Sequence, residues 1–193
     1  MGMPDTAGRW TRAAVLALPD DGRRYELVDG ELLVSPSPRR VHQIALAELF
    51  RRLDPYVRAH RLGTVLWSPA DLDLHSGQLV QPDLFVGGLH DSRMPLEWEE
   101  FGIPILAVEV LSPSTARYDR ITKRQLYQRV GVGTYWIVDL DARLVEVWTP
   151  GAERPTIVDR ELTWQPEGAL EPLIIDLGEF FRMVAGEPGT ARN

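Results

Sequence analysis

The chain of 193 residues contains no cysteine and a single lysine, Lys123, against twenty arginines. The lack of cysteine excludes a disulfide framework and a zinc site built on thiolates. A strong bias toward arginine is typical of a GC-rich genome, so one remaining lysine can be chance. It can also mark a position that arginine cannot serve, because lysine carries a compact ammonium and arginine a wide, permanently charged fork. The residues around Lys123 have to decide between these two interpretations.

Long apolar runs are also missing. No stretch approaches the roughly 20 apolar residues of a membrane helix, and the first 20 residues lack the layout of a signal peptide. We therefore expect a cytoplasmic protein that does not contact a membrane. With 44% hydrophobic and 25% charged residues, the composition is that of a globular protein, and the length predicts one domain over residues 1–193. Residues 186–193 are expected to be disordered.

Charge is distributed unevenly along the chain. The formal net charge is −7, yet residues 38–61 and 117–130 each carry a net charge of +4. A local basic face can attract phosphate groups although the whole protein is acidic. For either segment taken alone, a solvated helix face rich in arginine explains the pattern equally well.

Apolar periodicity predicts an α/β fold. A hairpin is expected over residues 24–35, around the Asp29-Gly30 turn, and long basic helices over 38–60 and 117–130. A short helix is expected over 12–18 and a final one over 178–184. The predicted strands are 63–67, 70–74, 79–86, 104–111, 134–139 and 144–148, followed by short strands at 162–164 and 173–175. The order helix–strand–strand–strand–helix–strand predicts a sheet between the two basic helices.

Two carboxylates occupy positions where the strand patterns call for apolar side chains. Asp83 follows Pro82 at the start of a strand run, and Glu109 is embedded in an aliphatic strand. Burying a carboxylate costs several kcal/mol unless it is paired or coordinates a cation. One such residue is more often a paired structural carboxylate, whereas two on neighbouring strands favour a metal site. Oxygen ligands without cysteine favour Mg²⁺ or Mn²⁺.

Lys123 lies 14 residues after Glu109, on the helix that follows the same strand. With Asp119 and Tyr127 it forms a stripe at spacings i, i+4 and i+8. Because a helix leaving a strand packs back across the sheet, this stripe can approach Asp83 and Glu109. The plainer interpretation is a surface pair of Asp119 and Lys123, worth roughly a few tenths of a kcal/mol. We favour a catalytic amine beside two metal-binding carboxylates.

These residues resemble the signature of the PD-(D/E)XK nuclease superfamily, which has Pro-Asp on one strand and Glu-x-Lys on the next. Residues 24–148 resemble more closely the Uma-two family of putative restriction endonucleases. The position of the signature lysine holds Leu111, as in other Uma-like sequences, and the resemblance implies that the lysine has moved to Lys123. The matching stretches are residues 25–31, 35–38, 81–83, 108–114 and 131–139, together with His42, Asp119, Lys123 and Tyr127.

The resemblance implies a restriction-endonuclease-like core (α-β-β-β-α-β) over about residues 24–148, with a mixed sheet between helices, an N-terminal hairpin and C-terminal strands. It further implies metal-dependent hydrolysis of DNA phosphodiester bonds. Asp83, Glu109 and the backbone carbonyl of Val110 would hold Mg²⁺ or Mn²⁺, whose bound water supplies the nucleophile. Lys123 would orient that water, help deprotonate it or stabilise the developing negative charge.

Three further residues are candidates for supporting roles in this site. His42 could contact metal or phosphate, and a capping or core role explains it equally well. Glu26 matches the family pattern, and a structural role in positioning the hairpin is favoured over ligation. For Tyr127 we favour packing with a hydrogen-bonded hydroxyl over catalysis.

Other functions stay open at this point. One alternative is a catalytically inactive nuclease-like module for binding or assembly, which the acidic net charge supports. Another is a metal-dependent hydrolase of RNA or small phosphates. Cleavage of both strands of DNA needs two active sites, so a homodimer is expected if the chain is a restriction-type enzyme.

Overall fold

Helices separate groups of consecutive strands along the residues that the computed structural model describes, which are 8–74, 77–89, 93 and 101–187. The helices are α1 (Arg12–Leu16), α2 (Arg40–Ala59), α3 (Arg124–Val130) and α4 (Leu177–Ala185), and a π-helical segment, Tyr118–Lys123, leads directly into α3. The strands are β1 (Arg24–Val28), β2 (Glu31–Ser35), β3 (Gly63–Trp67), β4 (Leu72–Asp73), β5 (Leu79–Val80), β6 (Leu84–Gly88), β7 (Leu106–Val110), β8 (Tyr135–Asp139), β9 (Leu144–Trp148), β10 (Thr156–Val158), β11 (Glu161–Trp164) and β12 (Leu173–Asp176).

The largest sheet has the strand order β10-β9-β8-β7-β6-β3. Strands β7 and β8 pair in parallel, and the other neighbours in this sheet are antiparallel. Every residue of β7 is buried, as expected of a central strand that is covered on both faces. The sheet is therefore mixed, and β7 lies near its centre with Glu109 among its residues.

Alternating side chains of the sheet face two different layers. Val108 and Trp136 belong to the core that includes α2, α4 and the hairpin of β11 and β12. Ala107 and Ile137, one position away, belong to the core that includes α3 and the N-terminal hairpin. The predicted α/β fold, with a mixed sheet between helices, is confirmed.

Helix α2 covers one face of this sheet because its apolar residues recur at helical spacing. Ala45, Leu49, Leu53 and Val57 are all fully buried, whereas several arginines occupy the outward face. At 20 residues α2 has the length of a membrane span but not the composition. Neither α2 nor any other helix in the described ranges is long and apolar enough to cross a bilayer.

The predicted strand over residues 79–86 is wrong, because the chain changes sheets in its middle. Strand β5 pairs with β1 and β4 in a small second sheet, whereas β6 belongs to the large sheet. Between them, Pro82 has no amide hydrogen to offer a ladder, and the amide of Gln81 donates to Glu26 Oε1 at 2.8 Å. Asp83 consequently lies in the crossover between two sheets, immediately before β6.

Two other segments also depart from the sequence-based expectation. The helix predicted over residues 117–130 contains the wide π turn 118–123 before α3 begins. Strand β10 was not predicted, since its residues are largely exposed and lie at the edge of the large sheet. The expected disorder of residues 186–193 falls mostly outside the described residues.

A glycine substitution tests the pairing of β3 with β6. Gly63 has a φ of +146°, and a Cβ at this position would lie 1.9 Å from the carbonyl oxygen of Gly87. We expect Gly63→Ala to lower the free energy of unfolding by roughly 3 kcal/mol or more, because backbone strain and overlap act together. The control is Gly151→Ala, where φ is +75° with no atom within 4 Å and the cost is about 1–2 kcal/mol. If equilibrium unfolding in urea showed equal losses of unfolding free energy for the two variants, the register that pairs β3 with β6 would be contradicted.

Candidate active site

A cavity of about 560 Å³ opens where β7 and β8 end. Its walls are formed by residues 35–39, by residues 111–116 after β7 and by residues 139–142 after β8. The carboxyl ends of neighbouring parallel strands are a common location for ligand sites in α/β sheets. Arg24, His42, Asp83, Glu109, Val110, Asp119 and Lys123 all line this cavity.

Asp83 is buried on the cavity wall and accepts three hydrogen bonds. Arg24 Nη1 donates to Oδ1 at 2.7 Å, while His42 Nε2 and the amide of Val110 donate to Oδ2 at 2.9 and 2.8 Å. Burial alone would raise the pKa of Asp83, but the hydrogen bond from His42 and the charges of Arg24 and Lys123 outweigh it, and the pKa is lowered. Asp83 is therefore a fixed, ionised carboxylate.

Glu109 and Lys123 form the second part of the site. Lys123 Nζ lies 2.9 Å from Glu109 Oε1, and the Tyr127 hydroxyl donates to the same oxygen at 3.2 Å. The ammonium also lies 2.9 Å from Glu26 Oε2 and 3.7 Å from Asp119 Oδ1. The charged side chains in this group are at most 3% exposed. Lys123 is thus held by three buried carboxylates.

The protonation state of Lys123 is decided by the charges and the burial around its amine. Burial alone would lower the pKa of the amine, but the charges of Glu109, Glu26 and Asp119 outweigh burial and raise it. Lys123 is accordingly an ammonium at neutral pH. Of the roles predicted from sequence, orientation and charge stabilisation suit this geometry, whereas removal of a proton from water needs a neutral amine.

Negative charge is in excess at this site. Four carboxylates lie with two permanent cations, which leaves a formal excess of two negative charges; the six residues are Glu26, Asp83, Glu109, Asp119, Arg24 and Lys123. Burial, together with the neighbouring carboxylates, raises the pKa of Glu109 well above its usual value. Burial likewise raises the pKa of Asp119 to about 6. In isolation the cluster favours protonation of its carboxylates.

These residues fit a divalent cation in charge and in donor chemistry. The two excess charges match one such ion, and carboxylate oxygens are the ligands that Mg²⁺ and Mn²⁺ prefer. Within the described part of the chain, the hydrogen bonds to Glu109 use Oε1 alone, so Oε2 is available. Buried Asp119 Oδ1 also accepts no hydrogen bond. The described residues contain no group of three or more histidine or acidic side chains arranged to hold a metal, so ligation would need solvent or substrate oxygens as well.

All the residues predicted from sequence lie at or directly behind this cavity. Asp83 and Glu109 are joined through the Val110 amide, and Tyr127 contacts Glu109 as described above. His42, on the first turn of α2, holds Asp83. Glu26 contacts Lys123 and the crossover segment instead of positioning the hairpin alone.

Arg24 is the site residue that sequence reasoning missed. It lies two positions before Glu26 on β1, and side chains two apart on a strand share a face. Both residues reach the crossover segment, since Arg24 Nη1 also donates to the Gln81 carbonyl at 3.0 Å. The signal that could have revealed Arg24 was this alternation beside the already identified Glu26.

Comparisons with known proteins identify the family and the fold of the chain. The model of the Uma2 family, described as "Putative restriction endonuclease", matches residues 12–178. Among solved structures, the crystal structure of a putative nuclease belonging to DUF820 from Anabaena variabilis ATCC 29413 aligns with a TM-score of 0.71 and 19% identity, over 90% of this chain and 98% of that one. At this identity the likeness shows a common fold. A search of curated proteins found no match.

Replacing the buried ammonium tests how far the carboxylates depend on it. We expect Lys123→Met to lower the free energy of unfolding at pH 7 by about 3–5 kcal/mol, because it leaves buried carboxylates without their partner. Arg129→Met is the control, since its pair with Asp29 is half exposed on both sides and worth about 1 kcal/mol or less. Similar losses for both variants in urea unfolding would show that Lys123 is not enclosed as described.

The raised pKa of Asp119 predicts a dependence of stability on pH. Folding raises this pKa from 3.8 to about 6, so the folded state keeps the proton longer than the unfolded state. The contribution of Asp119 to the free energy of unfolding is therefore fully present below about pH 4. It declines by up to about 3 kcal/mol as the pH rises to about 6. Unfolding in EDTA should show the wild type losing stability relative to Asp119→Asn over this range. A constant difference would contradict the raised pKa.

Proposed function

Because the chain belongs to the Uma2 family, described as putative restriction endonucleases, we propose that it hydrolyses phosphodiester bonds of DNA with the help of a divalent cation. The observation that carries this proposal is the pair of buried carboxylates, Asp83 and Glu109, on one cavity wall, in a cluster where four carboxylates face two cations. A cavity with such a charge attracts a cation before it accepts a phosphate. With a cation held by these carboxylates, the same place would be suitable for an anionic substrate.

Asp83, Glu109 and the Val110 carbonyl would hold Mg²⁺ or Mn²⁺. A cation bound there would supply a water of lowered pKa and neutralise charge on the phosphate. In the reaction, a water oxygen forms a bond to phosphorus and the bond from phosphorus to one sugar oxygen breaks. The water loses a proton to solvent, and the departing oxygen gains one.

The surrounding residues fix the two carboxylates. His42 and the Val110 amide hold one oxygen of Asp83 from two directions, which limits rotation of the carboxylate. Lys123 and Tyr127 both contact Oε1 of Glu109, and Oε2 has no hydrogen bond within the described residues. On this proposal Lys123 is an ammonium that orients the carboxylate of Glu109. It stays charged because it lies among carboxylates.

Plasmid cleavage tests the activity. We expect the purified wild type to nick or linearise supercoiled plasmid in Mg²⁺ or Mn²⁺, and Asp83→Asn or Glu109→Gln to slow cleavage by roughly 100-fold or more. Asp159→Asn, which changes an exposed carboxylate, should cleave like the wild type. The same assays are carried out in parallel with single-stranded RNA and with a small phosphodiester as the substrate. Cleavage of these alone would replace DNA as the substrate, and equal rates for all variants would contradict the assignment of the site.

Metal binding can be measured apart from activity. Titration calorimetry with Mn²⁺ should show binding to the metal-stripped wild type and at least about tenfold weaker binding to Glu109→Gln, which loses a charged ligand. Binding that is unchanged in Glu109→Gln would remove this residue from the ligand set. No binding to the wild type would contradict the metal proposal while leaving the fold and family unaffected.

A further inference from the structure

The phosphate of a bound substrate needs a cationic partner from the protein, and Lys123 is already engaged. Its ammonium lies against Glu109, Glu26 and Asp119, and the side chain is only 3% exposed although it lines the cavity. Arg120 also lines the cavity, but its guanidinium is bound by Asp139 and Glu146 at 2.9 and 2.6 Å. The exposed Arg39 also lines the cavity, but no side chain in the described residues fixes it there. Lys123 and Arg120 are fixed, and each is bound by two or more carboxylates.

Arg24 differs from both of these cations. Its Nη1 makes both of its hydrogen bonds, to Asp83 Oδ1 and to the Gln81 carbonyl. Within the described residues, Nε and Nη2 donate none. The side chain is 17% exposed and lies on the cavity wall. The guanidinium of Arg24 is therefore held through Nη1, and Nε and Nη2 stay available as donors.

This arrangement suits recognition of a phosphate. A guanidinium presents parallel N–H donors that match two oxygens of a phosphate, and anchoring one nitrogen reduces the entropy lost on binding. Two acceptors hold Nη1 close to Asp83, so a phosphate bound by Arg24 would lie beside the carboxylate proposed to hold the cation. A lysine could not bind Asp83, Gln81 and a phosphate at once with a comparable planar fork.

Resting on the proposed function, we infer that Arg24 is a catalytic residue that binds the non-bridging oxygens of the scissile phosphate through Nε and Nη2, while Asp83 and Gln81 hold Nη1. Arg24 would stabilise the negative charge that grows on these oxygens as water attacks. The ammonium of Lys123 then serves the carboxylates, and the guanidinium serves the substrate.

A purely structural role for Arg24 predicts a different result for metal affinity. If Arg24 served only to orient Asp83, its removal would loosen a ligand and weaken metal binding. If it binds substrate, its removal takes a positive charge away from the cation site, and metal affinity should stay the same or increase. The direction of this change separates the two roles.

The experiment compares Arg24→Gln and Arg24→Lys with Arg154→Gln, an equal loss of charge at an exposed site away from the cavity. A fluorescein-labelled DNA duplex is titrated by anisotropy in Ca²⁺, which takes the same kind of oxygen ligands as Mg²⁺. Titration calorimetry with Mn²⁺ reports metal affinity, single-turnover cleavage in Mg²⁺ reports the chemical step, and circular dichroism checks folding.

We expect Arg24→Gln to weaken DNA binding by about 10- to 100-fold, as loss of a charged hydrogen bond does, and to slow cleavage by roughly 100-fold or more. Arg24→Lys should slow cleavage by at least about tenfold and decides the matter if Arg24→Gln does not fold. Mn²⁺ affinity should not fall in either folded variant, and Arg154→Gln should match the wild type. Weaker Mn²⁺ binding with unchanged DNA affinity, or DNA affinity and cleavage equal to wild type, would overturn the inference.

The same measurements distinguish this inference from failure of the proposed function. A wild type that binds DNA through Arg24 but cuts nothing would contradict the nuclease assignment alone and leave Arg24 as a phosphate-binding residue. Cleavage that is lost in Asp83→Asn but unaffected in both Arg24 variants would contradict the role of Arg24 alone. A wild type that does not bind DNA would contradict both.

Discussion

The ammonium of Lys123 is the interaction on which the arrangement of the site depends. Three carboxylates from three parts of the chain, Glu26, Asp119 and Glu109, approach one positive charge inside the protein. Without that charge, they would repel one another in a medium that screens charge poorly. The hairpin, the π-helical segment and the central strand are therefore held in one place by a shared counterion.

Strand β1 connects this cluster to the rest of the site. Arg24 and Glu26 lie on one face of it and hold the carbonyl and the amide of Gln81, respectively. Pro82 and Asp83 follow Gln81 and complete the crossover, and Asp83 lines the cavity. Strand β1 of the small sheet thus helps to set the position of a carboxylate in the crossover that leads into the large sheet, which gives the N-terminal hairpin a direct part in the chemistry proposed.

Sequence reasoning recovered the layers and named most of the charged residues that line the cavity or contact its lining, because apolar periodicity and buried carboxylates leave local traces. It placed Glu109 on a buried strand and Lys123 on the following helix, as the structure does. It merged β5 with β6, because apolar residues continue across a change of sheet that depends on long-range pairing. It also overlooked Arg24, whose partners lie 57 and 59 residues away and whose local sign, its alternation with Glu26, is weak in a chain rich in arginine.

The π-helical segment has a consequence for how this site can vary. A wide turn of this kind is equivalent to one additional residue accommodated within an α-helix. Losing one residue between Asp119 and Lys123 would restore ordinary α-helical winding and leave the two residues three positions apart instead of four. They would still share a helix face, but the spacing that now places Lys123 Nζ 3.7 Å from Asp119 Oδ1 would change. The number of residues in this segment therefore matters for the enclosed charges as well as their identity.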